Sequence, residues 1–292
     1  MSKFDNLFAQ NDCNINDDTV KHEIESILAA HFAENNNKEV YKQCLSQIDL
    51  TSLNSTDTHA EIGLMVKRVN EFKANFPHLP NVGAICVYPA LVPLVKQLLT
   101  ENIGIAAVSA GFPASQTFIE IKVAETALCV MEGATEIDVV ISIGKFIEGK
   151  YQEVYEELSE IKAACREAHL KVILETGALQ TASSIKKASI LAMASGADFI
   201  KTSTGKIPVA ATLEATYVMC GAIKEWYEKT GIKISYKPAG GIVTTEDAVK
   251  HYTLVKEILG NEWLNNSNFR FGASRLANNL LSSIEGKEVK YF

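Results

Sequence analysis

No run of apolar residues in this chain approaches the ~20 that a membrane-spanning helix needs, although 47% of its residues are hydrophobic. There is no G-x-G-x-x-G and no P-loop, so the common nucleotide-phosphate fingerprints are missing. The six histidines are scattered, and no H-x-H, H-x-x-x-H or Cys/His cluster offers a metal site. The six cysteines (Cys13, Cys44, Cys86, Cys129, Cys165 and Cys220) include no C-x-x-C pair. That spacing points to reduced thiols in a cytoplasmic protein rather than a disulfide framework. A dense Lys/Arg block is also lacking, and the net charge of -7 argues against nucleic acid as a partner. Residues 1–11 carry no apolar signal-peptide core. No metal, no cofactor and no membrane contact is expected.

What is present is repetition. Across 292 residues with no Pro- or Ser-rich linker, short β-type runs occur near 45–50, 83–87, 104–109, 136–142, 171–176, 198–203, 233–238 and 268–272. Helical stretches alternate with them, among them 117–132, 151–168, 183–194, 212–230, 245–259 and 276–284. Eight βα units in about 250 residues fit a closed (β/α)8 TIM barrel better than a doubly wound sheet. The division expected is an N-terminal helical extension over 1–40, the barrel over 41–285 and a charged, mobile tail over 286–292. Residues 1–16 read as loosely ordered. A helix then starts near Asp17 or Asp18, either able to cap it, and carries an apolar stripe from Val20 to Phe32.

In such a barrel the chemistry sits at the carboxyl ends of the strands. Two lysines are placed there. In Phe199-Ile200-Lys201-Thr202-Ser203-Thr204-Gly205-Lys206 a lysine stands where a core strand would carry Val or Ile. Ser235-Tyr236-Lys237-Pro238-Ala239-Gly240-Gly241 repeats that design one βα unit later. Neighbouring parallel strands lie ~4.8 Å apart, so both amines can reach one pocket. Two ammonium groups ~4 Å apart repel by about 4 kcal/mol at an effective dielectric of ~20, or roughly three pKa units. One of them is then a neutral nucleophile near pH 7, as Schiff-base chemistry requires. The plain alternative for either is a structural ion pair or a snorkelling side chain.

Carboxylates interrupt other strands. Asp138, in Ile137-Asp138-Val139-Val140, needs a cationic or hydrogen-bonding partner, which the lysines can supply. Asp49 breaks the first strand in the same way, and Glu175 ends the fifth; anchoring and catalytic support are equally open for both. Cys86, in Ala84-Ile85-Cys86-Val87, reads as inert packing before catalysis. Gly240-Gly241 and Gly272-Ala273-Ser274 each precede a helix, after the seventh and eighth strands, and Gly205-Lys206 borders them. Loops in that position commonly hold phosphate with backbone N–H groups.

These residues resemble deoxyribose-phosphate aldolase, a class I, Schiff-base aldolase family with a (β/α)8 fold. The resemblance rests on Asp49-Leu50-Thr51, Glu136-Ile137-Asp138-Val139-Val140 and Val172-Ile173-Leu174-Glu175-Thr176-Gly177. It continues through Lys201-Thr202-Ser203-Thr204-Gly205, Lys237-Pro238-Ala239-Gly240-Gly241 and Phe271-Gly272-Ala273-Ser274, covering about 49–274 in the expected order. It implies reversible cleavage of 2-deoxyribose 5-phosphate into acetaldehyde and glyceraldehyde 3-phosphate. It makes Lys201 the Schiff-base lysine, Lys237 the lysine that depresses its pKa, and Asp138 the general acid/base. Asp49, Thr51, Glu175 and Cys86 would support them. Gly205, Lys206, Gly240, Gly241, Gly272, Ser274 and Arg275 would surround the phosphate.

The chain departs from the pattern twice. The family usually has arginine after Gly-Gly-Val/Ile, where this chain has Val243, and a small residue after the last serine, where it has Arg275. Two rival readings stay open: another class I aldolase or a transaldolase-like enzyme on the same barrel, and a non-catalytic barrel that binds a sugar phosphate. The partners expected are small phosphorylated sugars and aldehydes, with a homodimer plausible.

Overall fold

A computed structural model describes residues 3–292. Eight parallel strands form the centre: β1 (Ile48–Thr51), β2 (Ala84–Val87), β3 (Gly104–Ser109), β4 (Glu136–Val140), β5 (His169–Ile173), β6 (Phe199–Lys201), β7 (Ser235–Lys237) and β8 (Phe271–Ala273). Each strand from β1 to β6 pairs with the next in sequence, and β1 also pairs with β8. The β7–β8 seam is joined by bridges at Tyr236–Phe269 and Ala239–Gly272, which completes a (β/α)8 barrel.

Helices surround it. Ahead of β1 come α1 (Lys3–Gln10), α2 (Asp17–Asn35) and α3 (Lys38–Ser46). The connecting helices are α4 (His59–Asn75), α5 (Val92–Leu98), α6 (Ile119–Met131), α7 (Ile143–Ile147), α8 (Tyr151–Cys165), α9 (Thr176–Leu179), α10 (Ala182–Ala194), α11 (Leu213–Thr230) and α12 (Thr245–Leu259). The last, α13 (Arg275–Glu285), follows β8.

Alternation along each strand splits the residues into two sets. Ile48, Leu50, Ile85, Ile137, Val139, Leu170, Val172 and Ile200 face outward and join the helices in one continuous apolar core. Burying one such side chain contributes roughly 1.5–3 kcal/mol. The inward set differs: Cys86, Ala106 and Val108 with Leu53 form a small apolar group of their own. Val140, Ile173, Phe199 and Ser235 share the inward face with Asp49, Glu136, Asp138, Lys171, Lys201 and Lys237, the charged members of the interior.

Four expectations change. The first strand begins at Ile48, because Leu45 and Ser46 close α3, which Asn37 caps through bonds from the Glu39 and Val40 amides. The expected looseness of 1–16 covers residues 1–2, which lie outside the described part, and 3–16, which the structure orders. Phe4 and Phe8, one helical turn apart, are buried against Tyr151 and Tyr155, with ring centroids 4.9 Å apart for Phe8–Tyr151 and 5.7 Å for Phe4–Tyr155. The cap of α2 is Asn16, which accepts from the Asp18 and Thr19 amides, while Asp17 accepts from the Ala182 amide at 2.8 Å. Finally, the tail is docked rather than mobile. Phe292 stacks on Phe72 at 5.3 Å, and the Tyr291 hydroxyl donates to the Arg68 carbonyl at 2.7 Å.

The N-terminal helices form a strap over one side of the barrel. The Ile15 amide donates to Ser183 Oγ at the head of α10. Lys229 of α11 donates to the Gln10 carbonyl, α2 packs on α11 and α12, and α3 packs on α12 and α13.

Candidate active site

Lys201 and Lys237 are direct register partners on β6 and β7. Both donate to the same oxygen, Asp138 Oδ2, each at 2.7 Å. The Oδ1 of Asp138 is buried and has no hydrogen-bonding partner among the described residues. The three sequence-predicted residues are therefore brought together, and β4 presents Asp138 across the interior to both amines.

Their surroundings are not equal. Lys237 has a second carboxylate, Asp49 Oδ2, at 2.5 Å. Burial alone would lower its pKa, but Asp138 and Asp49 outweigh burial and the pKa is raised. Lys201 has Asp138 alone. Burial and the repulsion of Lys237 outweigh that single attraction, and its pKa is lowered. For Asp138, burial works upward and is overcome by Lys201, Lys237 and Lys171, which hold the carboxyl well below its usual range.

Lys201 lines a cavity of about 270 Å³ at the carboxyl end of the barrel. Asp138 and Lys237 lie behind it and do not line it. Gly205, Lys206, Gly240, Gly241, Gly272, Ser274 and Arg275 all line this one cavity, as do Thr51 and Val243. Two glycines are dictated by space. Gly240 has φ +82°, and a Cβ there would lie 2.8 Å from Ala210 Cβ and 2.9 Å from Gly205 Cα. A Cβ on Gly272 would lie 2.6 Å from Ala239 Cβ and 3.2 Å from Lys237 Cε, so any side chain would disturb the amine. Lys206 donates to the Leu53 carbonyl across the cavity mouth. Arg275 is exposed, at the first position of α13, and has no ion-pair or hydrogen-bonding partner among the described residues. Asp247 caps α12 beside Val243, accepting from the Thr244 amide at 2.9 Å.

The supporting residues divide. Thr51 is half-buried and donates to the Asp49 carbonyl at 2.7 Å. Glu175 touches neither lysine. It sits at φ +55° and accepts from the Thr204 amide at 3.1 Å and the Thr204 hydroxyl at 2.5 Å, anchoring the loop after β6. Cys86 is fully buried, and burial raises its thiol pKa.

Three charged residues received no role from the sequence. Lys171 donates to Asp49 Oδ2 at 2.7 Å and to Glu136. Arg270 donates from Nη1 to Asp49 Oδ1 at 2.6 Å and from Nη2 to Glu136 Oε1 at 2.9 Å. The signal was alternation: Glu136 shares parity with Asp138, Lys171 with Glu175, and Arg270 with Gly272. Each sits at or near a strand's start, where a charge reads as a solvated end.

The comparisons with known proteins agree with this geometry. A family model described as DeoC/LacD family aldolase matches residues 44–257. Deoxyribose-phosphate aldolase of Homo sapiens is 44% identical over 254 residues, covering 82% of this chain and 77% of that protein. The Mus musculus enzyme of the same name is 43% identical with the same coverage. Among solved structures, the aldolase QR15 superimposes with a TM-score of 0.67 at 30% identity, covering 82% of this chain and 96% of that one. The tetrameric deoxyribose phosphate aldolase of Aeropyrum pernix shares the fold, with a TM-score of 0.67 at 22% identity over 88% of this chain and 96% of that one. The chain belongs to the DeoC/LacD family of aldolases, and it is an aldehyde-lyase of the deoxyribose-phosphate aldolase group.

Proposed function

We propose that the protein reversibly cleaves 2-deoxy-D-ribose 5-phosphate to acetaldehyde and D-glyceraldehyde 3-phosphate through a Schiff base on Lys201. The observation that carries this reading is that, of two lysines held on one aspartate oxygen, Lys201 alone lines the cavity and has the depressed pKa. Its neutral amine adds to C1 of the open-chain sugar, and loss of water gives the imine. The C3 hydroxyl then gives up its proton, the C2–C3 bond breaks, and its electron pair passes into the iminium to form an enamine. Glyceraldehyde 3-phosphate leaves. Protonation of the enamine at C2 and hydrolysis release acetaldehyde and restore Lys201. Asp138, behind Lys201 and with Oδ1 unpartnered, takes up and returns the protons through a bound water. Lys237, ionised between two carboxylates, keeps the nucleophile's pKa low.

In this reading the phosphate sits among the glycine loops that line the cavity, with Lys206 and Arg275 at the rim. Val243 and Arg275 border the same cavity, so a guanidinium from the α13 side can stand in for one lacking at Val243. Six unpaired, buried thiols support a reducing cytoplasmic compartment, and no helix among the described residues is long and apolar enough to cross a membrane.

Borohydride with acetaldehyde, followed by peptide mapping, tests the reading. An added mass is expected at Lys201. A mass at Lys237 would reverse the roles, and none would remove the Schiff base. Turnover of a ketose donor such as dihydroxyacetone in place of acetaldehyde would favour the rival class I aldolase.

A further inference from the structure

Seven ionisable side chains share the barrel interior. The cations are Lys171, Lys201, Lys237 and Arg270, and the anions are Asp49, Glu136 and Asp138. All seven are buried. If every group were ionised, one positive charge would be left over, in surroundings where an uncompensated charge is most costly. Neutrality is reached when one lysine gives up its proton. The contacts decide which. Arg270 pairs with Asp49 and Glu136, and a guanidinium does not deprotonate in proteins. Lys171 pairs with the same two carboxylates. Lys237 pairs with Asp49 and Asp138. Lys201 has one carboxylate, and it is the cation held least.

We propose that Arg270, which precedes β8 at the end of the barrel opposite the cavity, is a positioning residue that sets this charge count and thereby keeps the Lys201 amine unprotonated. The proposal rests on the Schiff-base reading of Lys201. Arg270 touches neither Lys201 nor the cavity. It takes Asp49 Oδ1, leaving Oδ2 to Lys171 and Lys237, and it takes Glu136 Oε1. Without it, three lysines would face three carboxylates. The interior would then be neutral with every lysine protonated, Lys201 included.

The other groups around Lys201 do not alter the count. From β2 the only titratable group is the Cys86 thiol, which burial keeps protonated. The inward residues of β3, Ala106 and Val108, are apolar. Glu175, two residues past β5, is turned to Thr204, and β8 presents Gly272 and Ala273. Lys206 and Arg275 lie at the exposed rim of the cavity.

The test is the pH dependence of borohydride trapping with acetaldehyde, and of kcat/KM, in the full-length protein. Arg270→Met is expected to move the rising limb to higher pH by about one unit. At a fixed pH on that limb, trapping then falls roughly tenfold. Arg270→Lys keeps the charge and keeps the limb near that of the wild type. The double variant Glu136→Gln/Arg270→Met removes one charge of each sign and returns the limb to the wild-type position. If Arg270→Met does not fold, the double variant decides, because its balanced interior folds and titrates as the wild type does. An unmoved limb in folded Arg270→Met overturns the proposal. So does a double variant that is unfolded or displaced to alkaline pH. A wild type that traps no acetaldehyde at any pH overturns the Schiff-base reading instead.

Discussion

In the outer helical layer, Lys122 of α6 is 1% exposed; inside the barrel, Lys201 is 3% exposed. Each has a carboxylate oxygen at 2.7 Å, Glu157 for the first and Asp138 for the second. Burial lowers the pKa of both. Yet Lys122 is closed on every side. It donates to Ser115 Oγ at 2.7 Å, Ser142 Oγ at 3.0 Å and Glu157 Oε1 at 2.7 Å, which uses all three ammonium protons. Lys201 makes one hydrogen bond, has a second cation sharing its partner, and borders a cavity. Desolvation alone therefore does not make a nucleophile. An amine becomes one when part of its coordination sphere is left open to a ligand and a neighbouring charge opposes its proton.

The contrast is sharpest at Lys201. Lys201→Ala should abolish both acetaldehyde trapping and turnover while the protein stays folded. Survival of either would move the chemistry elsewhere. Next in size is Asp138→Asn, which keeps the shape but cannot exchange a proton. It should bind substrate and lose about 10²–10⁴-fold in kcat. A loss below tenfold would reduce Asp138 to an anchor for two lysines.

Lys122→Met carries the comparison to the outer layer. Breaking a buried pair costs about 3–5 kcal/mol. The cost should fall toward the lower end, because Lys145 stands 3.6 Å from the other Glu157 oxygen. Denaturant midpoints should drop, while kcat and its pH profile stay unchanged; a shifted profile would erase the distinction between the two regions. His251 of α12 is a second outer-layer case. It bonds Thr216 Oγ1 through Nδ1 at 2.7 Å, and burial pushes its pKa down to about 4. The unfolded chain, near 6.5, takes up a proton that the native state refuses. Stability is therefore full above pH 6.5 and falls as pH drops toward 4, by about 3 kcal/mol in all. His251→Asn should flatten that stretch of the stability curve. An unchanged slope would assign the acid sensitivity to carboxylates.

The smallest effect is expected at Arg275. A charge-assisted hydrogen bond contributes about 1.5–3 kcal/mol, and exposure at the rim brings it to the lower end. Arg275→Ala should raise KM for the phosphate ester roughly tenfold and leave unphosphorylated deoxyribose nearly untouched. Equal effects on both sugars would place Arg275 outside phosphate binding.

Much of this arrangement could be read from the sequence, for a local reason. Asp138 interrupts an apolar strand, Lys201 and Lys237 each end a short buried one, and period-two alternation puts all three on the inner face. The barrel was legible because eight short strands alternate with helices. Lys171, Glu136 and Arg270 were not, since only the closed barrel shows that their positions point at Asp49 and at one another. The order of α1 and the tail escaped for the same cause. Phe4 and Phe8 look like a short, weakly capped segment until Tyr151 and Tyr155 are placed against them, and Tyr291 and Phe292 look solvated until Phe72 arrives. Their stability comes from residues far along the chain, and no local pattern records it.

That distance has a bearing on how the protein is made. The strap is translated well before its docking sites: Ile15 bonds Ser183 across 168 positions, Gln10 bonds Lys229 across 219, and Asn35 bonds Lys256 across 221. At about 5–20 residues per second, roughly 10–40 s separate Gln10 from Lys229 at the ribosome. The aromatic face of α1 is unpartnered until Tyr151 and Tyr155 are made, and the buried face of α2 until α11 and α12 are made. β1 waits about as long for β8. Barrel closure comes later than the docking of the strap, because β8 follows α10, α11 and α12 in the chain, so a ribosome stalled just before β8 holds a chain that already contains the partners of α1 and α2 and lacks β8 and the α13 surface for α3.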